Sequence, residues 1–487
     1  MKKLITITLA IMSISHILFA QKVTIKGNVS NSPDPSVSIN TPLEGLYFSG
    51  QNAEVKSDNS GNYQYTFDVK TPGFATVINN FYPVVLYIEP NQTYEVNYSK
   101  NAEPQIKGYN ASAQMLINSL GVGQEPKMEI EDLSKVKGAS AKIEFAKKAE
   151  RQKLQQVEDA YKNKLMTEQM YNALKSEVEN LTSLLLSTDF FFTYREDYEE
   201  KENGGALFMN EYGDAWTKLY DDMAHSKTFL SSPGLPRMMV YYCSFSEIKN
   251  TGKLNFNKPG VPGINDIKLY KENIKGNLLE SAWANAIIEG ISMNRFEPEW
   301  EENFAEFKKT FPQSKFTSSL SPYIQAVITY NDNLTKNNPN VKFLEGLEKA
   351  KTLKEVFAKL KGQVTYVDFW ATWCSPCRKE MQYSKSNHKE LAKFGVQTAY
   401  ISIDKDADHN AWKSMAKSLS LEGLNGRVNA AVNKELYKSA PQFKGIPYYV
   451  ILDKEGNPIV WSAKRPSEKN DLFEQIREVV EKNTSKK

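Results

Sequence analysis

Cysteine and histidine are nearly missing from this chain, which holds three of the first and four of the second in 487 residues. A scaffold stapled by disulfides is thereby excluded, and the fold must rest on apolar burial. Metal chemistry needs ligands at close spacing, and His225 and Cys243, in the middle of the chain, have no such neighbours in sequence. Charge of one sign is lacking too. The formal net charge is +3, part of it from Lys2 and Lys3, so nothing marks a surface for nucleic acid or an anionic membrane. Past residue 20 no apolar run approaches membrane-spanning length. What remains is a chain 40% apolar and 24% charged, too long for one core and suited to two to four soluble domains.

Lys2-Lys3, the apolar stretch Leu4 to Phe19 and the closing Ala20-Gln21 read as a secretory signal peptide over 1–20, cut after Ala20. A retained N-terminal anchor is the other reading, and the lack of a following cysteine argues against a lipoprotein. Over 21–105 apolar residues alternate, as in Tyr63, Tyr65, Phe67 and Val69 and again in Tyr94, Val96 and Tyr98. That period predicts a small antiparallel β-sandwich, a scaffold or docking module rather than a ligand site.

Over 106–340 the period becomes helical. Leu154, Val157, Tyr161 and Leu165, then Leu174, Val178, Leu181 and Leu185, predict a helical hairpin whose second helix is capped by Thr167. The charge run from Lys142 to Lys153 reads as its solvated face. Residues 258–263 are a Gly/Pro-rich loop, and Glu299 to Lys309 is another helix. His225 is expected at the surface or as a cap, and Cys243 as a buried apolar thiol. The residues of this region name no function.

From 341 to 487 strand and helix patterns alternate. Val341–Phe343 is a short strand, Thr352 caps a helix, and Val364 to Trp370 is a strand buried on both faces. Cys374-Ser375-Pro376-Cys377 opens a helix expected to run to Lys393. A strand Thr398 to Ile403, a helix Asn410 to Leu419, a hairpin of Tyr448–Leu452 with Ile459–Trp461, and a last helix capped by Ser467 complete an α/β domain. Two cysteines one turn apart at a helix start point to a redox dithiol. The free N–H groups and positive helix end favour a thiolate at Cys374, and Arg378 and Lys379 add positive charge. Cys374 is expected to be the exposed nucleophile and Cys377 the shielded resolving thiol. Zinc would need a second cysteine pair, so no metal is expected, and the dithiol itself carries the electrons without a cofactor. Asp368, in the buried strand six residues before Cys374, should have a raised pKa. Trp370 reads as core and Trp373 as a substrate contact. Asp404 and Asp406 receive no role.

Four elements in order carry a resemblance over roughly 340–487. They are Trp373-Cys374-Ser375-Pro376-Cys377 after an apolar strand, Arg378-Lys379-Glu380-Met381, Gly445-Ile446-Pro447 before a strand, and the hairpin Asp453-Lys454-Glu455-Gly456-Asn457. This part of the chain resembles the thioredoxin fold and, within it, the TlpA/ResA-like thiol-disulfide oxidoreductases of bacterial envelopes. The three-part layout is similar to one common in exported Bacteroidetes proteins. The resemblance implies a redox-active Cys374–Cys377 disulfide and Asp368 as proton acceptor for Cys377. It also implies a cis Pro447, with the Ile446 backbone pairing with an extended substrate. By the same resemblance the substrates are thiols and disulfides of exported proteins in the periplasm or cell envelope. Reduction would be fed by a membrane electron donor of the CcdA/DsbD kind, and cytochrome c-type biogenesis is one such use. Gln382 stands where the family usually has proline.

Two rival readings stand beside this one. A peroxiredoxin-type peroxidase needs a threonine three residues before its cysteine and no CxxC beside tryptophan. An envelope binding or assembly protein, whose thioredoxin-like domain docks or senses redox state, is kept open by the long upstream region without a catalytic signature.

Overall fold

The computed structural model describes residues 21–484 except 30–34, 81, 101, 125–126, 226–228, 255–262 and 294. The expected signal peptide and most of the 258–263 loop lie outside the described residues. Among these residues no helix is long and apolar enough to cross a membrane. By contacts the chain forms two compact units: the described residues of Met1–Arg295 with Glu302–Tyr323, and Phe296–Glu301 with Ile324–Lys487.

In the first unit the alternating segment becomes β1 (Gln21–Asn28), β2 (Ser36–Asn40), β3 (Asn52–Lys56), β4 (Asn62–Val69), β5 (Gly73–Asn79), β6 (Tyr82–Ile88), β7 (Thr93–Ser99) and β8 (Ala102–Gly108). They build two four-stranded sheets, β4-β1-β7-β8 and β3-β2-β5-β6. Every second residue points inward, so Val23, Ile25, Tyr94 and Val96 of one sheet share a buried cluster with Val37, Ile39, Val77 and Leu86 of the other. The arrangement is not wholly antiparallel, because β1 and β7 run parallel. Parallel neighbours need a long crossover, and the chain from β2 to β6 supplies it. The open edge of β6 is closed by side chains: Gln114 and Asn118 each donate to and accept from its backbone, at Tyr87 and Val85, over 2.8–2.9 Å.

The helical stretch comprises α1 (Ala111–Ser119), α2 (Lys127–Ser134), α3 (Ala139–Lys162), α4 (Glu168–Asp197), α5 (Gly204–His225), α6 (Leu235–Thr251), α7 (Ile264–Asn273), α8 (Gly276–Ser292), α9 (Glu299–Thr310) and α10 (Thr317–Thr335). Thr167 caps α4, its hydroxyl accepting from the Met170 amide at 3.1 Å. The charge run on α3 is not all solvated. Lys142 is buried, its ammonium 2.8 Å from the buried Asp189 carboxylate of α4, and Glu150 is buried as well. An ammonium removed from water needs such a partner. Cys243 on α6 is a free, buried thiol.

The second unit holds a six-stranded mixed sheet in the order β14-β13-β10-β11-β12-β9. Its elements are β9 (Val341–Phe343), α11 (Leu353–Ala358), β10 (Thr365–Trp370), α12 (Ser375–Met381), α13 (Ser384–Lys393), β11 (Gln397–Ser402), α14 (His409–Ser418), β12 (Gly423–Arg427), α15 (Ala430–Ser439), β13 (Tyr448–Leu452), β14 (Pro458–Trp461) and α16 (Asn470–Thr484). Thr352 caps α11, accepting from the Glu355 amide at 3.2 Å. All six residues of β10 are buried, as a central strand covered on both faces requires.

Three expectations change here. The helix after the dithiol stops at Met381 and restarts at Ser384, although Gln382 replaces the family's proline. The amides of Gln382 and Tyr383 bond three residues back, to Lys379 and Glu380, and that tighter turn ends the α-helical ladder. Ser467 does not cap α16, which begins three residues later; it lies in a short turn of 3₁₀ helix, Pro466–Glu468, and serves Glu380. The strand β12 and the helix α15 were not foreseen.

Candidate active site

The site grows from the end of β10, which runs parallel to β11 and antiparallel to β13. At Trp370 the strand ends, and three residues carry the chain to Cys374, the N-cap of α12. Pro376 falls in the first helical turn, where its missing N–H removes no intrahelical bond. Cys374 and Cys377 are joined in a disulfide with Cα atoms 5.3 Å apart. The Cys377 amide donates to the Cys374 sulfur at 3.2 Å, a contact that favours a thiolate there once the bridge opens. Cys374 is not openly exposed as expected: it keeps 4% of its surface and Cys377 none. In the bridged form each sulfur covers the other, and both belong to the apolar cluster under the sheet end. Trp373 beside them is 61% exposed, whereas Trp370 is fully buried.

Pairing of Phe369 with Tyr448 brings the start of β13 against the strand that leads into the dithiol. The preceding Ile446–Pro447 bond is cis. Ile446 packs on the cluster that contains both cysteines. Tyr448 lies under this loop, its hydroxyl donating to the Pro441 carbonyl at 2.7 Å.

Two buried carboxylates stand close together, Asp368 on β10 and Glu380 on α12. Asp368 is 1% exposed, and its Oδ1 has no hydrogen-bond partner. Burial, reinforced by the nearby Glu380, holds its pKa well above the usual carboxylate range. Glu380 accepts from the amide and the hydroxyl of Ser467, each at 2.9 Å, which ties α12 to the turn before α16.

A third buried carboxylate, Asp404, had no role in the sequence reading. It accepts from the Thr372 amide at 3.0 Å, the Thr372 hydroxyl at 2.8 Å and the Ser402 hydroxyl at 2.7 Å. Arg378 donates back to the Thr372 carbonyl. Burial draws the Arg378 guanidinium down from its ordinary pKa, and Asp404 pushes it back up. Arg427 braces the same loop, donating to the Asp404 carbonyl at 3.2 Å and pairing with Asp406 at 2.7 Å. No local motif announces this network, because its members meet only through the β10–β11 register.

A cavity of about 550 Å³ lies elsewhere, an open polar dish on the first N-terminal sheet lined by Lys26, Asn28, Asn62, Gln64, Glu95 and Asn97. It holds neither cysteine nor histidine, and the Cys374–Cys377 pair lies in the second unit.

Residues 335–478 match the Redoxin family. The thiol-disulfide oxidoreductase ResA of Bacillus thuringiensis subsp. konkukian is 30% identical over 122 residues, 25% of this chain and 65% of that protein. ResA of Bacillus subtilis is 30% identical over 102 residues, 20% of this chain and 52% of that protein. The chain thus spans less than two thirds of the length of these relatives. The thioredoxin domain of a thiol-disulfide oxidoreductase from Bacteroides vulgatus, solved by crystallography, overlaps 25% of this chain and 82% of its own, at 24% identity and TM-score 0.22. The C-terminal part of the chain is therefore a Redoxin domain with a thioredoxin-like fold, homologous to the ResA/TlpA-like thiol-disulfide oxidoreductases.

Proposed function

We propose that the protein exchanges thiols and disulfides on exported proteins through Cys374 and Cys377, and that it works as a reductase. The observation that carries this reading is the Cys374–Cys377 bridge at the start of α12, with Ile446 packed on the same cluster. In the reduced enzyme the Cys374 thiolate attacks a substrate disulfide and expels one substrate thiolate. Asp368 then takes the proton of Cys377, whose sulfur attacks Cys374 and expels the second substrate thiolate. The substrate gains two electrons and leaves as two thiolates, which take their protons from water, and the enzyme is left with the bridge. An extended substrate segment lies along the Ile446 backbone, with Trp373 against its side chains.

Return to the dithiol form needs a reductant, which on this reading is a membrane electron donor of the CcdA/DsbD kind. Residues 1–20 act as the export signal, 21–105 form a β-sandwich and 106–340 a helical region that together present the 341–487 redox domain in the periplasm or cell envelope. Cytochrome c-type biogenesis is one pathway with a use for such a reductase.

The test is trapping. A Cys377→Ser variant stalls at the mixed disulfide, so substrate proteins should be recovered joined to Cys374 and released by dithiothreitol. If nothing is captured and the wild-type protein reduces no disulfide, the proposal fails.

A further inference from the structure

Asp368 faces a cavity of about 10 Å³, close to the least volume that holds one water. Tyr366, Ser384, Thr398, Tyr400 and His388 share its lining. Met381, one turn after Cys377 on the same side of α12, lines it too, so the cavity lies behind the resolving cysteine's helix. The unpartnered Oδ1 of Asp368 is a buried acceptor beside this space. His388, on α13, is the partly exposed member of the group, and its Nδ1 lies 3.4 Å from the buried Thr398 hydroxyl. Asp368 itself has no direct route to solvent, since its strand is fully buried.

We propose that His388 is the proton outlet of Asp368, a relay residue that passes the proton taken from Cys377 to bulk water. This rests on the thiol-exchange reading above. Asp368 passes a proton on as it takes that of Cys377, so that resolution waits on this outlet. A water in the cavity accepts that proton as it gives one of its own to the neutral His388 imidazole. The imidazolium then releases its proton to solvent, which restores all three groups and consumes no oxidant or reductant. The other ionisable groups facing the cavity or Asp368 are Tyr366 on β10, Tyr400 on β11, Tyr449 on β13 and Glu380 on α12. The tyrosines are held neutral by burial, and Glu380 is engaged by Ser467. His388 is thus the one group of the set with both access to water and a ring that can take up a proton at one nitrogen and release one from the other.

Single-turnover reduction of dithiobis-nitrobenzoate by the full-length dithiol protein separates the steps, because attack and resolution each release one coloured thiolate. His388→Ala should leave the first phase unchanged and slow the second roughly ten-fold, less than the 10²–10⁴ of a direct general base. Imidazole added to the buffer should restore the second phase in proportion to its concentration. His388→Asn, which can keep the Thr398 contact but cannot carry the proton, should be equally slow. A second phase that is unchanged, or slowed without rescue by imidazole, overturns the relay while leaving thiol exchange intact. Absence of both phases in the wild-type protein sinks the underlying reading and the relay with it.

Discussion

Asp404 holds the turn that delivers Cys374. Its carboxylate accepts from both the amide and the hydroxyl of Thr372, at 3.0 and 2.8 Å, two residues before the cysteine. It therefore fixes the loop and also sets a negative charge beside the dithiol, opposed by Arg378.

Asp404→Ala should leave the Thr372 amide and the Ser402 hydroxyl without an acceptor, costing about 1–3 kcal/mol in denaturant unfolding of the bridged protein. Asp404→Asn can still accept from Thr372 but carries no charge. Loss of that charge favours the Cys374 thiolate and hence the reduced form, so the Asn variant should show a potential less negative by on the order of 10–20 mV. Equilibration against dithiothreitol measures it, and a shift in the opposite direction would disprove the charge argument.

Asp368→Asn separates proton transfer from packing. The folded-state pKa of Asp368 is raised, so its contribution to stability is full below the unfolded value and lost as pH rises through the folded one. An amide cannot ionise, so the variant should be more stable than wild type at pH 8 and similar to it near pH 4. Mixed-disulfide resolution should slow about 10²-fold while the first attack is spared. Equal resolution rates in the two proteins would remove Asp368 from the mechanism.

Much of the redox domain was legible because its signals are local. Thr352 sits at its cap, Cys374 and Cys377 are one turn apart, and Pro447 directly precedes its strand. The Asp404 network was not legible, since Thr372 and Asp404 are 32 residues apart and meet only when β10 pairs with β11. Lys142 was misjudged for the same reason, its partner lying 47 residues away on another helix. The strand β12 has a single apolar residue, Leu424, and is extended because β9 and β11 pair with it on either side. Period-two reading also missed the parallel β1–β7 pair, because alternation along a strand says nothing of its neighbour's direction.

The buried Lys142–Asp189 pair makes a prediction about stability. Lys142→Ala leaves a carboxylate in the helical core without its ammonium, and should cost about 3–5 kcal/mol. Replacing both, as Lys142→Met with Asp189→Leu, removes the unpaired charge and should recover most of that loss. Thermal unfolding of the single and double variants checks it; a double variant as unstable as the single would show that the charge is not the cause.

Glu177 supplies a pH test that is independent of the redox site. The side chain is 1% exposed on α4, accepting from the Ser232 hydroxyl at 3.0 Å and the Asn180 amide at 3.2 Å. Burial outweighs these two bonds and raises its pKa from 4.5 to about 7. For a carboxylate raised in the folded state, stability is fully present below the unfolded value and falls as pH rises towards the folded one. The first unit should therefore weaken between about pH 4.5 and 7, by about 3 kcal/mol at most, from this group alone. Glu177→Gln keeps an acceptor for Ser232 and cannot ionise, so it should match wild type near pH 4 and exceed it near pH 8. Denaturant midpoints of the full chain across that range decide the matter. Parallel pH profiles in the two proteins would mean that Glu177 does not ionise inside the fold.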